Sequence, residues 1–110
     1  MKNMMDIMGM MKKAQAVQSQ MAVIQNKMEN TEFEGQAANG AVKVTLTGKF
    51  QATKVSLDKS VVDADDIETL EDLILVAIND AKTKADEAMD KAFEGVKKNL
   101  NLPENFKLPF

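Results

Sequence analysis

Five residue types that often supply the chemistry of a site are missing from this chain: cysteine, histidine, arginine, tyrosine and tryptophan. Without cysteine there is no disulfide framework, no thiol nucleophile and no thiolate metal site. Without histidine the usual general base at neutral pH is absent as well. Without arginine no bidentate fork can read guanine or clamp a phosphate. These absences argue against an enzyme, and we expect no catalytic residue, metal site, cofactor or small-molecule substrate.

Long apolar runs are also missing. None approaches the roughly 18 residues that a membrane-spanning helix needs, and Asp6, Gly9 and Lys12-Lys13 interrupt any secretion-signal pattern. The 110 residues are 45% hydrophobic and 28% charged, which is typical of one folded domain. We therefore expect a single cytoplasmic domain over residues 1–110 that does not associate with a membrane.

Methionine, in contrast, accounts for six of the first eleven residues. Apolar residues recur with a heptad period from Met4 to Asn30, which predicts a helix over residues 1–30, roughly 40 Å long. The rest of the chain is too short to bury this stripe. We therefore expect it to pack against a second copy, with the flexible methionine side chains filling the contact. A Cu(I) site and a membrane-lying helix are weaker alternatives, because the methionines fit the helical period and the polar face is rich in amides. The stripe comprises Ile7, Met10, Ala14, Val17, Met21, Ile24 and Met28.

Alternating residues predict three antiparallel strands over residues 31–57. Asn39-Gly40 is a strong signal for the first hairpin turn, and Gly48-Lys49 predicts a second two-residue turn. The third strand is expected over residues 50–57. A sheet this small needs a covering helix or a second sheet. The predicted faces are Val42, Val44 and Leu46 on the second strand and Thr53, Val55 and Leu57 on the third.

A second helix is predicted within residues 58–100, after an acidic turn. The segment Asp65-Asp66-Ile67-Glu68 suggests an acidic cap with Glu68 at the third helical position. Two prolines prevent residues 101–110 from continuing that helix. The sequence thus predicts an α+β fold in the order αβββα with a proline-containing tail. The apolar stripe of this helix comprises Ile67, Leu70, Ile74, Ala77, Ala81, Ala85, Ala88, Ala92 and Val96.

The net charge of −3 hides an uneven distribution. Residues 58–80 carry eight acidic residues and one lysine, whereas the rest of the chain carries 13 lysines and nine acidic residues. The acidic balance is therefore compatible with a local cationic surface. The helical lysines could follow a phosphate backbone, or they could form a solvated surface with i,i+4 pairs. The candidate DNA-binding residues are Lys12, Lys13, Lys27, Lys82, Lys84, Lys91, Lys97 and Lys98.

Five segments together resemble the YbaB/EbfC family of nucleoid-associated DNA-binding proteins. They are residues 11–18 (MKKAQAVQ), 40–48 (GAVKVTLTG), 54–58 (KVSLD), 70–81 (LEDLILVAINDA) and 102–110 (LPENFKLPF). The resemblance implies a homodimer with tweezer-like projecting helices that binds duplex DNA with little sequence preference and affects nucleoid organisation and gene expression. It favours Lys12, Lys13, Lys82 and Lys84 as contacts, although relatives carry arginine where this chain has only lysine.

The remaining alternative is a dimeric coiled-coil adaptor that binds proteins rather than DNA. Under either function, the expected dimer interface contains Ile7, Met10, Ala14, Val17, Met21, Ile24, Val42, Val44 and Leu46.

Overall fold

The structure, a computed structural model, describes residues 4–100, with side chains from residue 7 onward. The elements are helix α1 (Met4–Glu29), strands β1 (Glu32–Ala37), β2 (Val42–Thr47) and β3 (Ala52–Leu57), and helix α2 (Ile67–Asn99). The strands form one antiparallel sheet in the order β1-β2-β3. The predicted αβββα order is therefore confirmed, while the expected tail lies outside the described residues.

The first hairpin turn contains the predicted Asn39-Gly40 pair but is longer than a two-residue turn. Asn39 and Gly40 have φ angles of 55° and 91°, which this residue pair favours, and the Ala41 amide donates to the Ala38 carbonyl at 3.1 Å. Ala38 also has a positive φ, 53°, and four residues connect the last paired residues of the two strands. This turn sets the register that pairs Ala37 with Val42.

The prediction for the second turn was wrong in length. Gly48, Lys49 and Phe50 lie between the turn's hydrogen-bonded ends, since the Thr47 amide donates to the Gln51 carbonyl at 2.9 Å. Phe50 has a φ of 64° and occupies the left-handed position that a three-residue hairpin loop requires. Strand β3 consequently begins at Ala52 rather than at Phe50, and a register shift follows opposite Thr45 and Leu46.

Helix α2 begins one residue later than the sequence suggests. Asp66 is the N-cap, and its carboxylate accepts hydrogen bonds from the Thr69 amide at 3.3 Å and the Thr69 hydroxyl at 2.7 Å. Thr69, rather than Glu68, therefore occupies the third helical position. The cap still satisfies one of the free amides at the helix start and places negative charge at the positive end of the helix dipole.

The first half of α2 covers one face of the sheet. Val42, Val44 and Leu46 are buried against Ala77 and Ala81. The approach is close because a Cβ on Gly35 would overlap the Ala77 carbonyl oxygen and the Ala81 amide nitrogen. Small residues on both elements thus bring the helix backbone onto strand β1, and this contact fixes the direction in which α2 leaves the sheet.

Helix α1 packs on the second half of α2 rather than on the sheet. Val17 and Met21 are buried with Val96, and Ile24, Phe93 and Leu100 pack around them. The C-terminal end of α1 is joined to the sheet because the Gly48 amide donates to the Met28 carbonyl at 2.9 Å. Helix α1 therefore runs toward the sheet while α2 runs away from it.

The two long helices give the molecule an elongated shape, with extents of 73 × 23 × 18 Å. Among the described residues, neither helix has the length of apolar sequence that crossing a membrane requires.

Candidate nucleic-acid interface

Helix α1 presents lysines on a stretch that contains no acidic residue. Between Ile7 and Met28 the sequence has three lysines and no aspartate or glutamate. Lys12, Lys13 and Lys27 are all exposed. Lys13 and Lys27 are 14 residues apart on the same flank of the helix, which separates them by about 21 Å. This helix therefore presents lysines at two places along its length, and no carboxylate on the same stretch neutralises them.

The lysines in the second half of α2 have mixed surroundings. Lys91 and Lys98 are exposed, and within the described residues neither forms an ion pair with the carboxylate four positions before it. Lys97 is half-buried and already has an interaction partner. Lys82 places its Nζ 5.4 Å from the centre of the Phe50 ring, a cation–π contact. Since acidic residues alternate with these lysines along the helix, α2 is less cationic than α1.

Lys84 makes contacts within its own chain, and these contacts connect α2 to the sheet. Its Nζ donates to the Glu34 carbonyl at 2.8 Å and lies 3.3 Å from Asp80 Oδ2. The same Asp80 oxygen accepts a hydrogen bond from the Gln36 amide at 3.0 Å. The Gln36 hydrogen bond, followed by the one from Lys84, lowers the pKa of Asp80 below its usual range. Together these side chains satisfy the outer edge of β1 and hold α2 against it, which blocks this edge from pairing with another strand.

The acidic residues within residues 58–80, which we name the acidic block, include those at the N-terminal end of α2. They lie at the opposite end of that helix from its C-terminal lysines. Asp66 caps the helix, and Glu68, Glu71 and Asp72 follow within its first two turns. From Asp72 to Lys91 the helix rises about 29 Å, several times the Debye length of about 8 Å at physiological salt. The acidic residues at the start of α2 are thus separated from the lysines near its end.

Five of the nine side chains expected at a dimer interface are covered by their own chain. Val42, Val44 and Leu46 are buried beneath α2, while Val17 and Met21 are buried against the end of α2. In this fold they are unavailable to a second copy. The sequence predicts that the heptad stripe of α1 meets a second copy, because a heptad pattern cannot distinguish a partner helix in the same chain from one in another chain. Of the other four, Ile24 is half-buried, whereas Ile7, Met10 and Ala14 are exposed.

A different apolar surface was missed by the sequence reasoning. Val55 and Leu57 pair directly with Val44 and Val42, so they share the face of the sheet that α2 covers, yet they are 56% and 41% exposed. Helix α2 packs on β1 and β2 and leaves β3 open. On α2, exposed apolar residues lie on the flank of the helix that carries Lys82, whose ammonium group contacts Phe50. The β3–α2 patch, as we name it, comprises Phe50, Val55, Leu57, Ile67, Leu75 and Ile78.

A signal for this patch was present in the sequence. The third strand was expected to place Val55 and Leu57 on an apolar face, while the stripe of α2 was wide enough to include Ile67. Leu75 and Ile78 lie outside the apolar stripe that the sequence analysis gives for α2. With them included, the apolar face of α2 is broader than its contact with the sheet. The described residues hold no group of three or more acidic side chains arranged to bind a metal ion.

Comparisons with known proteins agree with this architecture. A nucleoid-associated protein of Paramagnetospirillum magneticum is 48% identical over 107 residues, which is 97% of this chain and all of that protein. A nucleoid-associated protein of Methylocella silvestris is 42% identical over 107 residues, which is 97% of this chain and all of that protein. One of Rickettsia canadensis is 43% identical over 100 residues, which is 91% of this chain and 94% of that protein.

A solved structure has the same fold. The crystal structure of the uncharacterized protein HP0035 from Helicobacter pylori superimposes with a TM-score of 0.60 at 18% identity, covering 71% of this chain and 90% of that one. The sequence profile of the YbaB/EbfC DNA-binding family matches residues 1–100. This chain therefore belongs to the YbaB/EbfC DNA-binding family of nucleoid-associated proteins.

Proposed function

We propose that this protein binds duplex DNA through the phosphate backbone, with little sequence preference, and that α1 makes the principal contacts. The observation that carries the proposal is the acid-free surface of α1, on which Lys12, Lys13 and Lys27 are exposed. Exposed Ser19 and Asn26 lie within about 40° of Lys12 around the helix and can also donate hydrogen bonds to phosphate oxygens.

The chemistry of lysine supports backbone binding rather than base reading. Its ammonium group is a point charge on a flexible stem, and it lacks the planar fork with which arginine recognises a guanine edge. Because the chain contains no arginine, positive charge comes only from lysine. We assign Lys91 and Lys98, exposed near the end of α2, to secondary phosphate contacts. Lys82 and Lys97 are weaker candidates for such phosphate contacts, because each already interacts with its own chain. Lys84 instead positions α2.

We further propose that two copies associate through the β3–α2 patch. The patch residues are apolar and exposed within the described part of the chain, as expected of a protein–protein contact. In this arrangement the free halves of two α1 helices project from a shared sheet region like the arms of tweezers. Such a dimer would act at the nucleoid in the cytoplasm, without catalysis, and would influence nucleoid organisation and gene expression by occupying DNA.

The test is the salt dependence of duplex binding, measured by fluorescence anisotropy with two duplexes of unrelated sequence. In a dimer the six α1 lysines should contribute about −5 to the slope of log affinity against log salt, and the α2 lysines add to it. The Lys12→Gln/Lys13→Gln variant loses four of these six contacts, so its slope should be less steep by about 4. Both duplexes should give the same slopes.

A matched control removes the same charge elsewhere. The Lys54→Gln/Lys59→Gln variant loses two exposed lysines from β3 and the acidic block and should keep the parental slope. No binding at low salt would refute the DNA proposal and favour a protein-binding adaptor. Equal losses in the two variants would show that only net charge matters and would refute the assignment to α1.

A further inference from the structure

The two outer edges of the sheet differ in how their backbone groups are used. At β1, side chains of α2 bind the outward carbonyl of Glu34 and the outward amide of Gln36. At β3, in contrast, every residue of the strand is exposed. The edge of β1 is therefore closed to another strand, whereas the edge of β3 is open to one.

The hydrogen bonds to β2 show which residues of β3 face outward. The Asp58 amide donates to the Ala41 carbonyl at 2.8 Å. Because backbone groups alternate sides along an antiparallel strand, Ser56 also bonds to β2, while Val55 and Leu57 direct their amides and carbonyls to the open edge. Within the described part of the chain, no group bonds to these outward amides and carbonyls. An apolar strand thus presents unused backbone donors and acceptors.

We propose that β3 of a second copy pairs antiparallel with β3 at this edge and joins the two sheets into one. The inference rests on the proposed association through the β3–α2 patch and specifies how the two copies meet. The side chains of Val55 and Leu57 belong to that patch. Pairing at the edge brings these side chains of both copies side by side, so the backbone hydrogen bonds and the apolar contact form together.

The outward groups favour one register. If Val55 lies opposite Leu57 of the second copy, the outward groups of both residues are used in both chains. Ser56 then lies opposite its own counterpart on the two-fold axis. The same register sets Lys54 opposite Asp58 of the second copy on the exposed face of the sheet, and such opposite charges stabilise cross-strand pairs.

The neighbouring registers are less favourable. A register centred on Val55 sets Leu57 opposite Thr53, where the register shift interrupts the strand. A register centred on Lys54 sets two lysines directly opposite each other, which is destabilising. A carboxylate introduced at Ser56 stays hydrated on the exposed face in the proposed register, with Lys54 of both chains nearby.

Because the chain contains no cysteine, a single substitution tests this register in the full-length protein. Ser56→Cys should form an interchain disulfide under mild oxidation, since opposed residues of a non-hydrogen-bonded pair have Cα atoms about 4.5 Å apart. Lys54→Cys is the matched control, exposed on the same face of the same strand. In the proposed register the two residues 54 lie about 14 Å apart, beyond the reach of a disulfide. We expect Ser56→Cys to close about tenfold faster, measured by nonreducing gel electrophoresis.

Amide exchange provides a second readout without any substitution. At a concentration where sedimentation shows a dimer, the Val55 amide should exchange about tenfold more slowly than an unstructured amide. Rapid exchange at Val55 in a dimeric protein would refute pairing at this edge and leave association through the patch intact. Equal closure of the two cysteine variants would refute the register. A monomeric parent would refute the proposed association together with this inference, and none of these outcomes depends on DNA binding.

Discussion

Asp80 connects α2 to the edge of the sheet, and its charge makes this connection sensitive to pH. Its carboxylate accepts from the Gln36 amide and neighbours Lys84, and these contacts lower its pKa in the folded state. A carboxyl whose folded pKa lies below its unfolded value stabilises the fold above the unfolded pKa, near 3.9, and loses that contribution as the pH falls through the folded pKa.

The corresponding prediction concerns Asp80→Asn. At pH 7 the variant should unfold at a lower urea concentration than the parent, because the charge-assisted hydrogen bonds are weakened. As the pH falls below about 4 the difference should shrink, since the parental carboxylate becomes protonated. Urea unfolding followed by circular dichroism at pH 7 and at a series of acidic pH values measures it. Asp86→Asn, also exposed on α2, serves as the control, and a difference that does not shrink on acidification would contradict the electrostatic explanation.

Gly35 allows the backbones of β1 and α2 to touch. An added methyl group there would overlap backbone atoms of Ala77 and Ala81, which cannot rotate away as a side chain can. Gly35→Ala should therefore lower the free energy of unfolding by about 3 kcal/mol, at the upper end of overpacking costs. The matched control is Gly95→Ala in α2.

The control should change stability in the opposite direction. No heavy atom lies within 4 Å of a Cβ built on Gly95, so alanine gains helix propensity there and should stabilise the protein by about 1 kcal/mol. Denaturant unfolding of both variants measures the contrast. A neutral Gly35→Ala would mean that α2 can shift on the sheet without cost.

At the scale of the elements, the two sides of α1 have different roles. Met21 is almost fully buried against α2, whereas Val23 on the other side of the same turns is 68% exposed. Met21→Ala should cost about 2–3 kcal/mol of unfolding free energy because it leaves a cavity. Val23→Ala should be neutral or slightly stabilising, because alanine is the better helix former. Thermal unfolding distinguishes them, and equal effects would indicate that α1 does not pack on α2.

The elements themselves were predictable because their signals are local. Heptad spacing identified α1, strict alternation identified β2, and Asn39-Gly40 identified the first turn, which needs positive φ at both residues. The second turn was misjudged because Phe50 occupies a left-handed conformation that a bulky residue rarely adopts. Only the hydrogen bonds of the folded hairpin compensate for that conformation, and the sequence does not display them.

The candidate site was less predictable, because its residues depend on which surfaces meet. Spacing placed Lys84 among the helical lysines, but only the tertiary structure brings it to the Glu34 carbonyl, 50 residues earlier in the chain. Likewise, periodicity identified Val17 and Met21 as a seam without specifying that the end of α2 would cover it. Lys12 and Lys13 remain exposed because they lie outside that contact.

At the scale of the whole molecule, charge and apolar surface are distributed along a long axis. The sheet end carries the acidic block and the β3–α2 patch, while the first half of α1, away from the sheet, carries Lys12 and Lys13 and has no acidic residue from Ile7 onward. If two copies join at their sheet ends, the repulsion between their lysine-bearing helices is reduced by distance and screened by salt. Separate DNA-binding and self-association surfaces would follow from this arrangement, so a substitution at the β3–α2 patch should leave the lysines of each chain in place while changing how many chains act together.

Leu57→Asp tests that separation. Leu57 is 41% exposed at the β3–α2 patch, so a carboxylate there can remain hydrated in a single copy but would be buried without a partner in a dimer. We expect sedimentation equilibrium to give a dimer for the parent and a monomer for Leu57→Asp, with the far-ultraviolet circular dichroism of the helices retained.

Ser56→Asp provides the matched control, because Ser56 is exposed on the opposite face of the same strand and receives the same charge. It should remain dimeric. The monomeric Leu57→Asp chain should also show about half the parental salt slope for duplex binding, since each binding unit then contributes half the phosphate contacts. A dimeric Leu57→Asp, or a Ser56→Asp that dissociates equally, would place the association surface elsewhere and remove the basis for paired arms.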